Sequence, residues 1–348
     1  MIFSGISINF YKYKRKLTYF RSFTTQIDNN ELKVLFFGTD NFSLPSLKVL
    51  HKHNSDVKNL GVVTSFKSPA NCVRQYAEQQ KLRLYKWPIV AEDCRAYDLG
   101  VVVSFGHLIP TQIIKAFPLG MINVHASLLP RWRGAAPIIY AIMNGDKETG
   151  VSIMRIEPKR FDVGDIFAQK PVTIQPDVYM PELHKELAGE GANLLLEVVK
   201  GYPQTFKNPL KQNEEEASYA PKITPAVTEI DWKSMLAQDI YNRHRALFTF
   251  KALIAKFQTK SVEILDAKLP PSTLKSPFSM ESPHGALEYC KERKCLQVKC
   301  AKDTFVEVFL LRIEGKKAMK AIDFNNGFLK KLPKEEMKFH CNKLAVSC

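Results

Sequence analysis

Short apolar runs alternate with helix-like stretches from about residue 32 to residue 201, and this alternation constrains the fold more than any other feature of the sequence. The predicted strands are residues 34–37, 60–63, 99–104 and 121–124, and the predicted helices are residues 43–50, 73–80 and 109–116. Strands that are apolar throughout must be buried on both faces, so the pattern predicts a mostly parallel sheet covered by helices. Such sheets place their sites at the carboxyl ends of the strands.

The first predicted strand leads into Gly38, and no second or third glycine follows it in Gly38–Phe42. A dinucleotide-binding turn needs those glycines for the close approach of its backbone to a pyrophosphate. The sequence therefore predicts a Rossmann-like α/β domain that does not bind NAD. A further strand pair, 151–156 and 166–172, and a helix over 180–199 complete this domain, which spans residues 32–201.

A polar segment with three prolines and the run Glu214–Glu216 follows, and we predict a linker over residues 202–222. Beyond it, a helix over 235–248 precedes short alternating runs bounded by proline and glycine. These runs are residues 253–257, 261–265, 296–300 and 304–312. The pattern predicts a small OB-like β-barrel over residues 223–332, with a tail over 333–348.

The formal net charge of +15 is concentrated at the two ends of the chain. Residues 1–27 carry five basic side chains and no acidic one, which is typical of a mitochondrial transit segment. Residues 28–221 have a net charge of +1 and residues 222–348 a net charge of +9. A basic C-terminal part favours a polyanionic partner, nucleic acid before an anionic membrane; the alternative is a solvated basic surface. No apolar run is long enough to cross a bilayer.

The seven cysteines are an odd number and contain no CxxC pair. Cys290, Cys295 and Cys300 are spaced by five residues, which matches none of the usual zinc motifs. We therefore predict no metal site, and free thiols in a reducing compartment.

Asn123 and His125 lie two residues apart at the end of the fourth predicted strand. The period of a strand points both side chains to the same side. An amide that donates a hydrogen bond to a developing oxyanion, beside a group that exchanges a proton near neutral pH, is the pair that acyl transfer requires. The alternative is that His125 is a hydrogen-bonded structural residue.

Three segments carry a resemblance to a known family: Asn123-Val124-His125, the run Ser127–Gly134, and Asp162–Asp165. Together they resemble the formyltetrahydrofolate-dependent formyltransferases, and within that family the methionyl-tRNA formyltransferases. The resemblance continues in residues 34–39, 101–106, 145–151 and 219–223, and covers roughly residues 32–330. Residues 158–164 and 323–327 are most similar to the animal mitochondrial form.

The resemblance implies transfer of a formyl group from 10-formyltetrahydrofolate to the α-amino group of initiator methionyl-tRNA, by a monomer in the mitochondrial matrix. Residues 32–201 are then the catalytic domain, and the barrel binds tRNA. Asn123 would donate to the oxyanion, His125 would stabilise the same charge or relay a proton, and Asp162 would orient His125.

The resemblance also implies which residues bind the two substrates. The folate-binding residues would be Ser127, Leu128, Leu129 and Pro130. Arg131 and Arg133 would hold tRNA phosphates, although solvated charges are an equal alternative for both. His107 is predicted to be structural or peripheral to the folate pocket. Two other functions remain open: formyl transfer to a small-molecule amine, and a catalytically inactive tRNA-binding protein.

Overall fold

The computed structural model describes residues 32–53, 57 and 59–341 of the chain. The predicted transit segment over residues 1–27 and the last seven residues of the predicted tail lie outside the described residues. The described chain forms an α/β domain followed by an antiparallel β domain. Both kinds of domain were predicted from the sequence, in this order.

The first domain contains a seven-stranded sheet with the order β3-β2-β1-β4-β5-β6-β7. Its strands are β1 (Lys33–Gly38), β2 (Asn59–Thr64), β3 (Arg83–Lys86), β4 (Leu99–Val103), β5 (Met121–His125), β6 (Glu148–Arg155) and β7 (Ile166–Thr173). Strands β1 to β5 pair in parallel, whereas β6 and β7 are antiparallel to their neighbours. The mostly parallel sheet predicted from the sequence is therefore confirmed.

Six helices connect or cover these strands: α1 (Ser43–Lys52), α2 (Cys72–Gln79), α3 (Ala91–Cys94), α4 (Thr111–Ile114), α5 (Pro137–Met143) and α6 (Met180–Lys200). Helix α6 buries one stripe of side chains, including Leu183, Leu187 and Leu195, against the sheet. This periodic apolar stripe is what drives a helix onto a hydrophobic surface. One core lies on the α1 and α6 face, and a second core lies on the face covered by α3 and α4.

The second domain begins before α7 (Ala237–Leu247), since Ile230 and Trp232 already belong to its core, and it continues as a barrel with the strand order β10-β11-β12-β9-β8-β14. Its strands are β8 (Leu253–Phe257), β9 (Lys260–Lys268), β10 (Leu287–Cys290), β11 (Cys295–Lys299), β12 (Phe305–Ile313), β13 (Met319–Lys320) and β14 (Phe339–His340), and α8 (Ala321–Gly327) follows β13. A bridge between Ala286 and Lys338 joins the ends of the order and closes the barrel.

We predicted a tail over residues 333–348, and this prediction is wrong for the part that contains β14 (Phe339–His340). β14 pairs with β8, and the ring of Phe339 is 1% exposed in the barrel core against Trp232 and Phe257. These apolar contacts of Phe339 hold the segment against the barrel, although the segment lies close to the end of the chain. The barrel therefore extends to at least His340.

Helix α7 connects the two domains. Tyr241 donates to the carboxylate of Asp177 at 3.0 Å, and Arg245 donates to the carbonyl of Val178 at 2.7 Å, both just before α6. Over the described ranges, no helix is both long enough and apolar enough to span a membrane.

Candidate active site

The end of β5 carries the two residues that the sequence singled out. β5 lies between the parallel strand β4 and the antiparallel strand β6, with Asn123 beside Val102 and Met154, and His125 beside Ser152. Both Asn123 and His125 line one cavity of about 670 Å³. Among the described residues, none forms a hydrogen bond with the carboxamide of Asn123, so this donor is available to a bound molecule.

His125 is 6% exposed and is held from two sides. Its Nε2 lies 3.0 Å from the carbonyl oxygen of Trp132, and its Nδ1 lies 3.7 Å from Oδ1 of Asp162. A carbonyl oxygen only accepts, so Nε2 carries a hydrogen in this arrangement. Nδ1 then faces the carboxylate of Asp162, which fixes the orientation of the ring.

Asp162 lies in the turn between β6 and β7, in the left-handed region with φ of +56°. Its second carboxylate oxygen accepts from the backbone N–H of Gly134 at 2.9 Å. The structure therefore brings Asn123, His125 and Asp162 together, as the sequence predicted, although Asp162 is 37 residues beyond His125 in the chain.

Two loops form the opposite walls of the cavity near these residues. One is the segment after β4, residues 104–109, and the other is residues 156–162. His107 belongs to the first wall and stacks on Trp87, with ring centroids 5.5 Å apart, so it lines the cavity rather than lying at the periphery. Leu108 and Phe161 are exposed hydrophobic side chains on the two walls. The cavity thus presents apolar surface to a ligand close to Asn123.

A further wall comes from Phe42, which precedes α1, and from residues of α5 and α6 such as Ile138 and Met180. His184 of α6 also lies here, with its ring 5.2 Å from that of Phe42, and burial lowers the pKa of His184. These residues were not predicted as site residues, because apolar positions in and beside a helix are typical of core packing.

The four residues predicted to bind folate are placed elsewhere. Ser127 is fully buried and donates to the carbonyl of Arg131, and Leu129 packs against Met154 and Ile166. None of Ser127, Leu128, Leu129 and Pro130 lines the cavity. The structure does not support a folate-binding surface on this segment, which is instead fastened to β6 and β7.

The two arginines predicted to hold tRNA phosphates are both paired with carboxylates. Arg133 is 2% exposed and its guanidinium contacts Glu214 at 2.8 and 3.2 Å, so it is not accessible to a phosphate. Arg131 is half-exposed, bonds Asp146 through two nitrogens and stacks on the ring of Trp132. The placement of Arg133 does not support its predicted role. In the part of the chain that the structure describes, no cluster of His, Cys, Asp and Glu is suited to a metal ion.

Comparison with known proteins places this site in a family. A family model described as "Formyl transferase" matches residues 32–199, and a second one, "Formyl transferase, C-terminal domain", matches residues 222–329. The chain belongs to the formyl transferase family. Its relatives include the mitochondrial methionyl-tRNA formyltransferase of Homo sapiens, which is 39% identical over 307 residues and covers 85% of this chain and 78% of the relative.

The methionyl-tRNA formyltransferase of Dictyoglomus thermophilum is 33% identical over 313 residues, covering 85% of this chain and 97% of the relative. The resemblance predicted from the sequence is thereby confirmed. A crystal structure of a sugar 3N-formyl transferase, in the presence of dTDP and 5-N-formyl-THF, has a TM-score of 0.62 at 17% identity and covers 82% of this chain and 99% of its own. At 17% identity, this similarity shows that the two proteins share a fold and nothing more.

Proposed function

We propose that the protein transfers the formyl group of 10-formyltetrahydrofolate to the α-amino group of initiator methionyl-tRNA. The observation that carries this proposal is the carboxamide of Asn123, which has no hydrogen-bond partner in the described part of the chain and lies beside the His125–Asp162 pair in one cavity. The identity to methionyl-tRNA formyltransferases over 85% of the chain supports the choice of acceptor.

The chemistry follows from the positions of the three side chains. The neutral amine attacks the formyl carbon, a new C–N bond forms, and the carbonyl oxygen becomes an oxyanion. Asn123 donates its side-chain N–H to this oxyanion, and one such donor contributes about 3 kcal/mol to lowering a barrier of this kind. His125 stabilises the same charge or carries the proton from the attacking amine to N10 of the folate. The bond between the formyl carbon and N10 then breaks, which gives formylmethionyl-tRNA and tetrahydrofolate.

The folate is proposed to lie between the two loops at residues 104–109 and 156–162. These loops flank Asn123 and offer the apolar side chains of Leu108 and Phe161 to the flat rings of the folate. A volume of about 670 Å³ is within the usual range for small-molecule sites. We propose this position for the folate in place of the segment 127–130 that was predicted from the sequence.

The tRNA is proposed to lie against the basic second domain, whose residues 222–348 have a net charge of +9. Exposed lysines such as Lys316, Lys317, Lys330 and Lys331 are available for phosphates. If they make these contacts, the affinity for tRNA falls steeply as salt rises, because each neutralised phosphate releases bound counterions. A binding titration at several salt concentrations measures this, and a flat dependence contradicts the assignment.

The decisive experiment incubates the protein with 10-formyltetrahydrofolate labelled in its formyl group and with methionyl-tRNA. Label on the initiator tRNA supports the proposal, and no label on it overturns the proposal. Competition by uncharged tRNA separates this function from formyl transfer to a small amine. Binding of tRNA without turnover, unchanged in Asn123→Ala, would indicate an inactive tRNA-binding protein.

We further propose that this activity resides in the mitochondrial matrix and belongs to a monomer. The mitochondrial relatives and the acid-free, basic first 27 residues support the location. Import of the full chain into isolated mitochondria, with protection from added protease after the outer membrane is opened, tests it. Sedimentation equilibrium tests the oligomeric state.

A further inference from the structure

The segment between the two domains is hydrogen-bonded to the loop that follows β5. The backbone N–H of Arg133 donates to the carbonyl of Ser218 at 2.8 Å, and the N–H of Ala220 donates to the carbonyl of Arg133 at 2.7 Å. The N–H of Ala136 donates to the carbonyl of Ala220 at 3.1 Å, and the hydroxyl of Ser218 accepts from the N–H of Trp132. Residues 218–220 therefore pair with this loop like a short added strand, and we call residues 212–220 the interdomain strap.

Gln212 of the interdomain strap contacts both the turn that carries Asp162 and the loop that follows β5. Its Nε2 donates to the backbone carbonyls of Asp162 at 2.9 Å and Gly164 at 2.8 Å. Its Oε1 accepts from Nε of Arg133 at 3.0 Å. Both ends of a single carboxamide are thus used to join the turn that carries Asp162 to the loop that follows β5.

Arg133 and Glu214 anchor this carboxamide. The buried guanidinium of Arg133 uses its two terminal nitrogens for Glu214 and keeps its Nε for Gln212. The hydrogen bond from Arg133 lowers the pKa of Glu214. The three hydrogen bonds from the guanidinium of Arg133 hold Gln212 and Glu214 on its two edges, and Gln212 is thereby oriented.

The backbone of Asp162 needs such support. A residue other than glycine with φ of +56° is in the left-handed region, which is strained and persists only where the surroundings enforce it. The carbonyl of Asp162 is held by Gln212, and its carboxylate is held by the N–H of Gly134. Both contacts come from groups that the interdomain strap fixes.

We propose that Gln212 is a positioning residue for formyl transfer, which acts through Asp162 on His125 and makes the interdomain strap part of the active site. The proposal rests on the function proposed above. Loss of the two Nε2 bonds frees the turn at Asp162 and lengthens or redirects the contact between Asp162 and His125.

The first test compares two glutamines of similar exposure. Gln212→Met keeps the side-chain volume and removes the donor, and we expect kcat to fall about 10- to 100-fold, because displacements near 1 Å in a reacting constellation have effects of that size. KM for both substrates changes less than kcat, because Gln212 does not line the cavity. The control is Gln169→Met: Nε2 of Gln169 donates to the carbonyl of Leu129 at 2.9 Å and to the hydroxyl of Ser152 at 2.9 Å, and Gln169 does not line the cavity. Equal losses of kcat in both variants overturn the proposal.

The second test is a double-mutant cycle with Asp162→Asn. If Gln212 acts through the carboxylate of Asp162, Gln212→Met in the Asp162→Asn background lowers kcat by no more than about twofold, because the two changes remove one shared interaction. A purely structural role predicts that the two losses multiply, and this result also overturns the proposal. Gln212→Glu, which keeps the acceptor for Arg133 but loses both donors, replaces Gln212→Met if the latter does not fold.

A third measurement needs no turnover and separates this proposal from the proposed function. The imidazole resonances of His125, assigned with His125→Asn, are expected to shift more in Gln212→Met than in Gln169→Met, because Gln169 bonds the neighbouring strand residue Ser152 and not the turn at Asp162. If the wild-type protein does not formylate methionyl-tRNA, the proposed function fails while these shifts still decide whether Gln212 positions His125. Equal shifts in the two variants, or unchanged resonances in both, overturn the positioning role.

Discussion

The end of β5 and the interdomain strap contribute to one site in opposite ways. At the end of β5, the amide and the imidazole that we propose to be catalytic are two residues apart and share a face of one strand. In the interdomain strap, Gln212 is 50 residues from Asp162 and 79 residues from Arg133, the groups that it contacts. The comparison teaches that the reacting groups are set by local backbone geometry, whereas their orientation is set by contacts between distant segments.

The largest effect is expected at the end of β5. Asn123→Ala should lower kcat by about 10²- to 10³-fold, because it removes the donor to the oxyanion. The free energy of unfolding should change by less than about 0.5 kcal/mol, because the Asn123 carboxamide has no hydrogen-bond partner among the described residues. Steady-state kinetics and urea denaturation measure the two quantities. The control is Asn144→Ala, an exposed amide that bonds only the carbonyl of Tyr140; similar kcat values for the two variants would contradict the role of Asn123.

A smaller effect, this time on stability, is expected where the interdomain strap meets the loop after β5. Gly134 has φ of +124°, and a Cβ there would lie 2.6 Å from the carbonyl oxygen of Ala220. Gly134→Ala should therefore destabilise the fold by at least about 2 kcal/mol, since strain and a backbone clash add. Gly315→Ala is the control, because Gly315 also has a positive φ, but a Cβ added there would meet no atom of the described residues within 4 Å. Equal destabilisation in urea would show that the strap is not tightly packed there.

The smallest effect is a pH dependence of stability at Glu214. The hydrogen bond from Arg133 lowers the pKa of Glu214 below 4.5, so its ionised form stabilises the folded state above that pH. The stabilisation is lost as pH falls through the lowered pKa. The difference in unfolding free energy between the wild type and Glu214→Gln should be present at pH 7 and should shrink below about pH 4. Glu215→Gln is the control, and a difference independent of pH would contradict the ion pair.

Most of the α/β domain could be predicted from the sequence, because its central strands are apolar on both faces. β1, β2, β4 and β5 coincide closely with the predicted runs. β3 was missed, since the edge strand Arg83–Lys86 has polar ends and only partly buried centres. β14 was missed for a different reason: two residues become a strand only because β8 is there to pair with them.

In the site too, a local pattern predicts some residues, whereas others depend on contacts between distant segments. The period of a strand predicts that Asn123 and His125 share a face, and the resemblance to formyltransferases supplied Asp162. Arg133 was predicted to face tRNA, but whether an arginine is buried depends here on Gln212 and Glu214, some 80 residues further along. No local pattern marks Gln212, a single amide in a polar segment, as part of the site.

The interdomain strap also determines where the molecule can be divided. By sequence and by family match, the first domain ends near residue 199, and a hybrid enzyme joined there would keep most of each hydrophobic core. Such a hybrid would nevertheless combine Asp162 with a foreign partner in place of Gln212. A junction after Ala220 would keep the two together, so the unit that can be exchanged between related enzymes is longer than the unit that packs around one core.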